Sequence, residues 1–191
     1  MAEIVAETAR LRLREWGDED REPFYAIMNT PAVMRHLGGL QTPEQWAEVF
    51  QRLIGVQREH GHAFWIVEDK ASGEIQGFCG VKRVNSPGAG TLMEQHEIGW
   101  RLRESAWGQG IAKEAAIVSL DLAFGRFDAP HVIAMTVAEN VSSQGLMIRL
   151  GMRRREDLDF EDTRFGPELN PALIWRIDAE DWPAARAAAI V

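Results

Sequence analysis

The chain has 191 residues, enough for one medium domain with a sizeable core. Hydrophobic residues make up 46% and charged residues 26%, which is ordinary for a soluble globule, and no stretch approaches the ~18 apolar residues of a membrane span. The net charge of −8 argues against a nucleic-acid partner and favours cationic substrates such as amines.

Met1 to Glu7 lacks the basic start and long apolar run of a secretion signal. The single Cys79 admits no internal disulfide, so a cytoplasmic protein is expected. Cys79 lies in an apolar strand and reads as a small buried hydrophobe rather than a catalytic thiol. The five histidines are scattered without zinc spacing, and no metal is expected.

A first strand is expected over Ala9 to Glu15. Asp18 caps a helix to about Asn29 that buries Phe24, Ile27 and Met28. Thr42, Pro43 and Gln45 supply a cap, a first-turn proline and an N3 glutamine. Trp46, Val49, Phe50, Leu53 and Ile54 follow at helical spacing as a core stripe. His62 to Asp69 and Ile75 to Val84 read as strands about a turn at 71–74, and a loop at 85–90 leads to a fourth strand at about Gln95 to Leu102. A helix then spans Ala112 to Phe124. The run Val132 to Val137, apolar apart from Thr136, is a buried fifth strand. The next helix runs from Ser142 or Ser143 to Leu150 and stops at Gly151. Two strands near 153–160 and 172–177 and a short tail helix over 180–190 complete the chain. The order β-αα-βββ-α-β-α-ββ describes one α/β domain over 1–191, with its core at about 8–178 and a tail at 179–191. It is an α+β arrangement in which a mixed sheet carries helices on both faces.

The most informative run is Trp107-Gly108-Gln109-Gly110-Ile111-Ala112, between the fourth strand and a helix. Glycine permits a tight turn and lets backbone N–H groups approach a ligand. A helix starting there adds free N–H donors and a partial positive charge, which makes an anion cradle. On the turn alone, a ligand-free strand-to-helix connection stands level with the cradle. A Walker loop is excluded because Ile-Ala-Lys follows Gly110, and a dinucleotide fingerprint because position 113 is Lys.

Gly108-Gln109-Gly110-x-Ala112 resembles the R/Q-x-x-G-x-G/A loop of the GNAT superfamily of N-acetyltransferases. Trp107 replaces the usual Gln or Arg, as in the branch of Rim-type ribosomal-protein N-terminal acetyltransferases. Four further blocks resemble that branch in order: Arg10 to Arg14, Ala32 to Leu37, Gly77 to Gly80, and Asn140 to Ser143 with Leu150-Gly151-Met152. The resemblance implies a GNAT-like fold with splayed fourth and fifth strands and acetyl-CoA as cosubstrate. The pyrophosphate would lie on Trp107, Gly108, Gln109, Gly110, Ile111, Ala112 and Lys113. The pantetheine arm would lie along Ile98, Trp100 and Leu102, with Asn140 beside it. The partners implied are acetyl-CoA and an amine acceptor, either a peptide N-terminus or a small molecule, for a monomer or homodimer. A non-catalytic acyl-CoA sensor on the same fold is the alternative.

Acetyl transfer to an amine needs a neutral amine, stabilisation of the thioester oxygen and an outlet for the thiolate. Glu97 alternates with Ile98, Trp100 and Leu102 and so faces away from them. The resemblance makes Glu97 the candidate base, with His96 as its neighbouring alternative. Asn140 serves as a helix cap, a cofactor contact or both, and Ser143 as a cap or as the acid for the thiolate. The Tyr that many GNAT enzymes use as acid is Met147 here, and the only tyrosine is Tyr25. Acceptor contacts are expected from Arg35, His36, Trp65 and an acidic wall over Glu156 to Asp162.

Overall fold

The computed structural model describes residues 2–190. β1 (Ile4–Glu7) and β2 (Leu11–Arg14) form a hairpin, and the Thr8 hydroxyl accepts from the Leu11 N–H at 2.8 Å to close its turn. The expected strand at Ala9 to Glu15 is thus shortened, and a strand not read from the sequence precedes it. β1 lies at the sheet edge with half-exposed side chains, so it carries too little alternation to be legible.

A short 3-10 turn at Asp18–Asp20 leads into α1 (Arg21–Met28), and α2 (Pro31–Met34) is capped by Thr30. α3 (Pro43–His60) carries the expected capping box of Thr42 and Gln45, and ends at Gly61 in the left-handed region. β3 (Phe64–Asp69), β4 (Ile75–Arg83) and β5 (His96–Leu102) follow as an antiparallel meander. Then come α4 (Ile111–Gly125), β6 (His131–Thr136) and α5 (Val141–Arg149). The chain closes with β7 (Arg153–Arg154), β8 (Leu173–Asp178) and α6 (Trp182–Ile190).

The strand expected over 153–160 shrinks to the two residues of β7. A 3-10 turn at Glu156–Leu158 takes up the middle of that stretch, while Arg154 and Arg155 hold Asp159 and Asp157. Phe160 rejoins the sheet as an isolated bridge to Ala172.

The eight strands form one sheet in the order β1-β2-β3-β4-β5-β6-β8-β7. All neighbours are antiparallel except β5 and β6. One face packs on α4 through Leu13, Val67, Val81, Ile98, Ala116 and Leu120. The other packs on α1 and α3 through Trp16, Phe24, Trp46, Phe50, Phe64 and Phe78. This is the single-domain mixed α/β fold expected from the sequence. The tail helix α6 is anchored to α4 by Trp182 and Arg186, both bonded to Asp121.

The β5–β6 contact positions the site. β4 and β5 stay in register from Gly77 opposite Leu102 to Arg83 opposite His96, whereas β5 and β6 share one register pair, Glu97 opposite Ile133. Past that pair the strands part, as the resemblance implied. A sheet opened in this way leaves backbone and side chains facing a cleft instead of a neighbouring strand.

Candidate active site

A cavity of about 300 Å³ fills the split. β5 supplies Glu97 to Arg101, β6 and the following turn supply Met135 to Val137, and Asn140, Ser143 and Met147 line the far wall. The loop after β4 and the segment before β8 close the remaining side with Ser86, Asp162, Arg164 and Phe165. Asn170 holds that segment: its amide donates to the carbonyls of Asp162, Phe165 and Gly166, and its Oδ1 accepts from the Asp162 N–H.

Glu97 stands at the apex where the two strands part, and it is 7% exposed. Its parity is as the alternation predicts: Ile98 and Leu102 enter the α4-side core, while Glu97 and Arg101 face the cavity. Lys82, directly across β4, donates to Glu97 Oε2 at 2.5 Å. Lys82 also donates to the Asn85 side chain and the Arg83 carbonyl, which fixes the ammonium. Among the described residues no protein donor reaches Glu97 Oε1. The carboxylate is therefore oriented by a buried ion pair and keeps one oxygen available to the cavity.

His96 is not an equivalent base. Burial and the nearby Arg83 guanidinium push its pKa down to about 4. Its Nε2 is buried without a partner, and its ring stacks on His62 away from the cavity lining.

Asn140 is the N-cap of α5, and its Oδ1 accepts from the Ser143 N–H at 3.2 Å. Its Nδ2 donates to no described residue. Ser143 is therefore the capped third residue rather than the cap. Its hydroxyl accepts from the Trp100 indole N–H at 3.3 Å, which orients it at the cavity wall. Met147 is buried and lines the cavity, whereas Tyr25 bonds the Gln41 carbonyl and lies outside it.

The glycine loop follows the C-terminal end of β5, past the point where β5 and β6 part, and its residues are not among those lining the cavity. Gly108 and Gly110 have φ of +72° and +75°, the left-handed region that explains why both are glycine. The first hydrogen bond of α4 runs from the Glu114 N–H to the Gly110 carbonyl. Among the described residues, no acceptor takes the N–H groups of Gly108, Gln109, Gly110, Ile111, Ala112 or Lys113. Six successive free donors at a helix start are the chemistry of a pyrophosphate cradle. A residue missed in the sequence reading stiffens the loop: Arg10 donates to the Gln109 carbonyl at 3.2 Å and is held by Glu114. Trp107 is half-exposed, and its indole N–H ties the loop back to the Leu102 carbonyl at 2.9 Å.

Three expectations need correction. Trp65 does not meet an acceptor; it is 1% exposed in the α4-side core beside Phe127. Arg35 is exposed and outside the cavity lining, although His36 is part of it. The acidic wall is only partly free charge: Asp157, Asp159 and Asp162 are paired with Arg155, Arg154 and Arg164, whereas Glu156 and Glu161 are exposed and make no ion pair among the described residues. Leu102 is buried in the α4-side core and is not among the residues lining the cavity. Cys79 is fully buried beside Ser119, and burial pushes its thiol up to about 12, which makes it inert.

Asp162, the end of the expected acidic wall, does reach the cavity, whereas Lys82, Arg101 and Arg164 line it and were not singled out from the sequence. They sit on two strands and a loop far apart in the chain, and only the alternation of β4 and β5 could have pointed to Lys82 and Arg101.

A family model for the acetyltransferase (GNAT) domain matches residues 10–153. The Bacillus subtilis protein YkkB is 32% identical over 148 residues, covering 76% of this chain and 83% of its own. The FsC-acetyl coenzyme A-N(2)-transacetylase of Aspergillus fumigatus is 29% identical over 161 residues, covering 81% of this chain and 67% of its own. Among solved structures, Mycobacterium smegmatis RimJ in complex with CoA-disulfide superposes with a TM-score of 0.69 at 20% identity, covering 94% of this chain and 88% of that one.

Proposed function

This chain belongs to the GNAT acetyltransferase family and is an acyltransferase enzyme, and we propose that it acetylates a primary amine by direct attack within a ternary complex. The observation that carries the reading is the single-pair contact of β5 and β6, with Glu97 at its apex and the free N–H groups of the glycine loop at its mouth. The open edge of β5 suits an extended amide-bearing arm, the loop suits a pyrophosphate, and the free Nδ2 of Asn140 is a further donor beside the arm. Bound acetyl-CoA supplies the activated acetyl group. The chain's own contribution is to hold it and to manage protons.

Glu97 takes the proton from the incoming ammonium, directly or through one water, using the oxygen that Lys82 leaves available. Lys82 keeps the carboxylate aimed along the strand split. The Ser143 hydroxyl, oriented by Trp100, is the side chain in position to return a proton to the departing thiolate. Because a thiol ionises near ~8.5, that proton lowers a modest barrier. Trp107 and the order of the five sequence blocks support a place near the Rim-type branch. The acceptor is then a peptide N-terminus or a small amine.

A thiol-release screen with acetyl-CoA across peptides, polyamines and amino acids tests the reading. Release that depends on an amine and falls in Glu97→Gln is expected. Acetyl-CoA binding without release for any amine would leave a sensor in place of an enzyme.

A further inference from the structure

The charged side chains of the cavity do not balance. Lys82 is held by Glu97 and Arg164 by Asp162, each at 2.5 Å. Arg101 has no carboxylate within ion-pair distance among the described residues. Its guanidinium lies 5.2 Å over the Phe78 ring, and one NH group points at the Met34 sulfur at 3.8 Å. Its Nε is buried with no partner at all. The lining thus sets Lys82, Arg101 and Arg164 against Glu97 and Asp162, an excess of one positive charge in a chain whose net charge is −8.

Leaving a charge desolvated and unpaired is costly, and a polar group orphaned in a binding cleft points to a ligand group that completes it. Burial holds the Arg101 pKa down to about 10, so the guanidinium is still a cation at neutral pH.

We infer that the acceptor carries a carboxylate as well as its amine, and that Arg101 is the specificity-determining residue that receives that carboxylate. The inference rests on the amine-acetylation reading above and narrows it from any primary amine to amino acids and their derivatives. Glu97 and Arg101 lie on one face of β5, four residues apart, about 13 Å of strand at ~3.3 Å per residue. Their side chains converge on one cavity from its two ends. A planar guanidinium matches a carboxylate through two parallel N–H bonds, a geometry that an ammonium acceptor cannot offer. The phosphates of the cosubstrate are not the missing partner. They belong at the start of α4, whereas Arg101 opens on the opposite face of the sheet, against Phe78 and Met34. Polyamines are disfavoured by the same positive excess.

The test compares free amino acids with their carboxamides as acceptors, for the wild type, Arg101→Met and Arg101→Lys. The wild type is expected to prefer the acid in kcat/KM, and that preference falls by at least about tenfold in Arg101→Met, with partial recovery in Arg101→Lys. Arg101→Met is expected to fold without loss of thermal stability, because it replaces a partly buried guanidinium that has no carboxylate partner by a side chain of similar length. A wild type that uses amides or polyamines as well as acids, or a variant that loses both alike, overturns the inference. Thermal stabilisation by N-acetyl amino acids against their amides reads the same preference without turnover. Stabilisation by the acids alone, lost in Arg101→Met but unaccompanied by acetyl transfer, would uphold the carboxylate site and overturn the acetylation reading. Equal stabilisation by acids and amides would overturn the site whatever the turnover.

Discussion

The two ends of the cleft are built from different material. At the mouth, backbone supplies the donors: six N–H groups in sequence, two left-handed glycines and one helix start. At the apex and the acceptor side, the work falls to side chains from strands and loops up to 82 positions apart, Lys82, Glu97, Arg101, Asp162 and Arg164. A backbone site depends on local conformation and tolerates changes in side-chain identity, provided the glycines stay. A side-chain site depends on charge pairing in a partly dry space, where a single substitution leaves a partner uncompensated. On the proposed reading, the mouth governs affinity for the common cosubstrate, and the far end governs rate and acceptor choice.

The largest expected effect separates these two roles. Glu97→Gln should lower turnover by ~10²–10⁴-fold while leaving CoA affinity unchanged in calorimetry, with a smaller loss at high pH where more amine is neutral. Removing the carboxylate also strands Lys82, so the melting temperature should fall. Adding Lys82→Met should recover stability but not turnover, and recovery of both would take the base role from Glu97.

Gly110→Val addresses the other end. Only Arg10 lies near the space a side chain would take, at 3.8 Å, so the variant has room to fold. The branched residue resists φ of +75° at a cost of ~1–2 kcal/mol and fills the anion's approach, so CoA affinity should fall by about tenfold or more. Unchanged affinity in a folded variant would remove the pyrophosphate from the loop.

Ser143→Ala and Asn140→Ala sharpen the boundary between the ends. Asn140 is the cap, so Asn140→Ala should cost ~0.5–2 kcal/mol of stability. Ser143→Ala gives up only the bond from Trp100 and should melt near the wild type while slowing single-turnover transfer by about tenfold, a modest loss for a leaving thiolate. A full-rate Ser143→Ala would leave the proton to water.

The smallest effect lies outside the cleft. Buried His96 has its pKa pushed down to about 4 from its ordinary 6.5, so over that interval the unfolded chain binds more protons than the folded one. Stability present above pH 6.5 is lost as the pH falls toward 4. His62 and His131 are also lowered by burial and act in the same direction. His96→Gln should flatten the slope of melting temperature between pH 4 and 6.5. An unchanged slope would shift the effect to the other two histidines.

Glycine spacing, the capping box at Thr42, the apolar runs and the alternation of β5 are local properties, and they delivered the element order, the glycine turn before α4 and the direction of Glu97. Local pattern was silent where partners come from afar. The pairing of Asp157, Asp159 and Asp162 with arginines cancelled most of the charge of an expected acidic wall, and Trp65 on β3 faced α4 instead of a ligand. The edge strand β1 was invisible because one weakly alternating strand gains its order only by pairing. The length of the β5–β6 contact, a single register pair, depends on long-range pairing that no local pattern in either strand encodes. The chain by itself determined which residues are able to bind and react. Tertiary structure decided which of their charges are cancelled and left Arg101 without a carboxylate among the described residues, because charge compensation is a matter of distance in space and burial rather than of order along the chain.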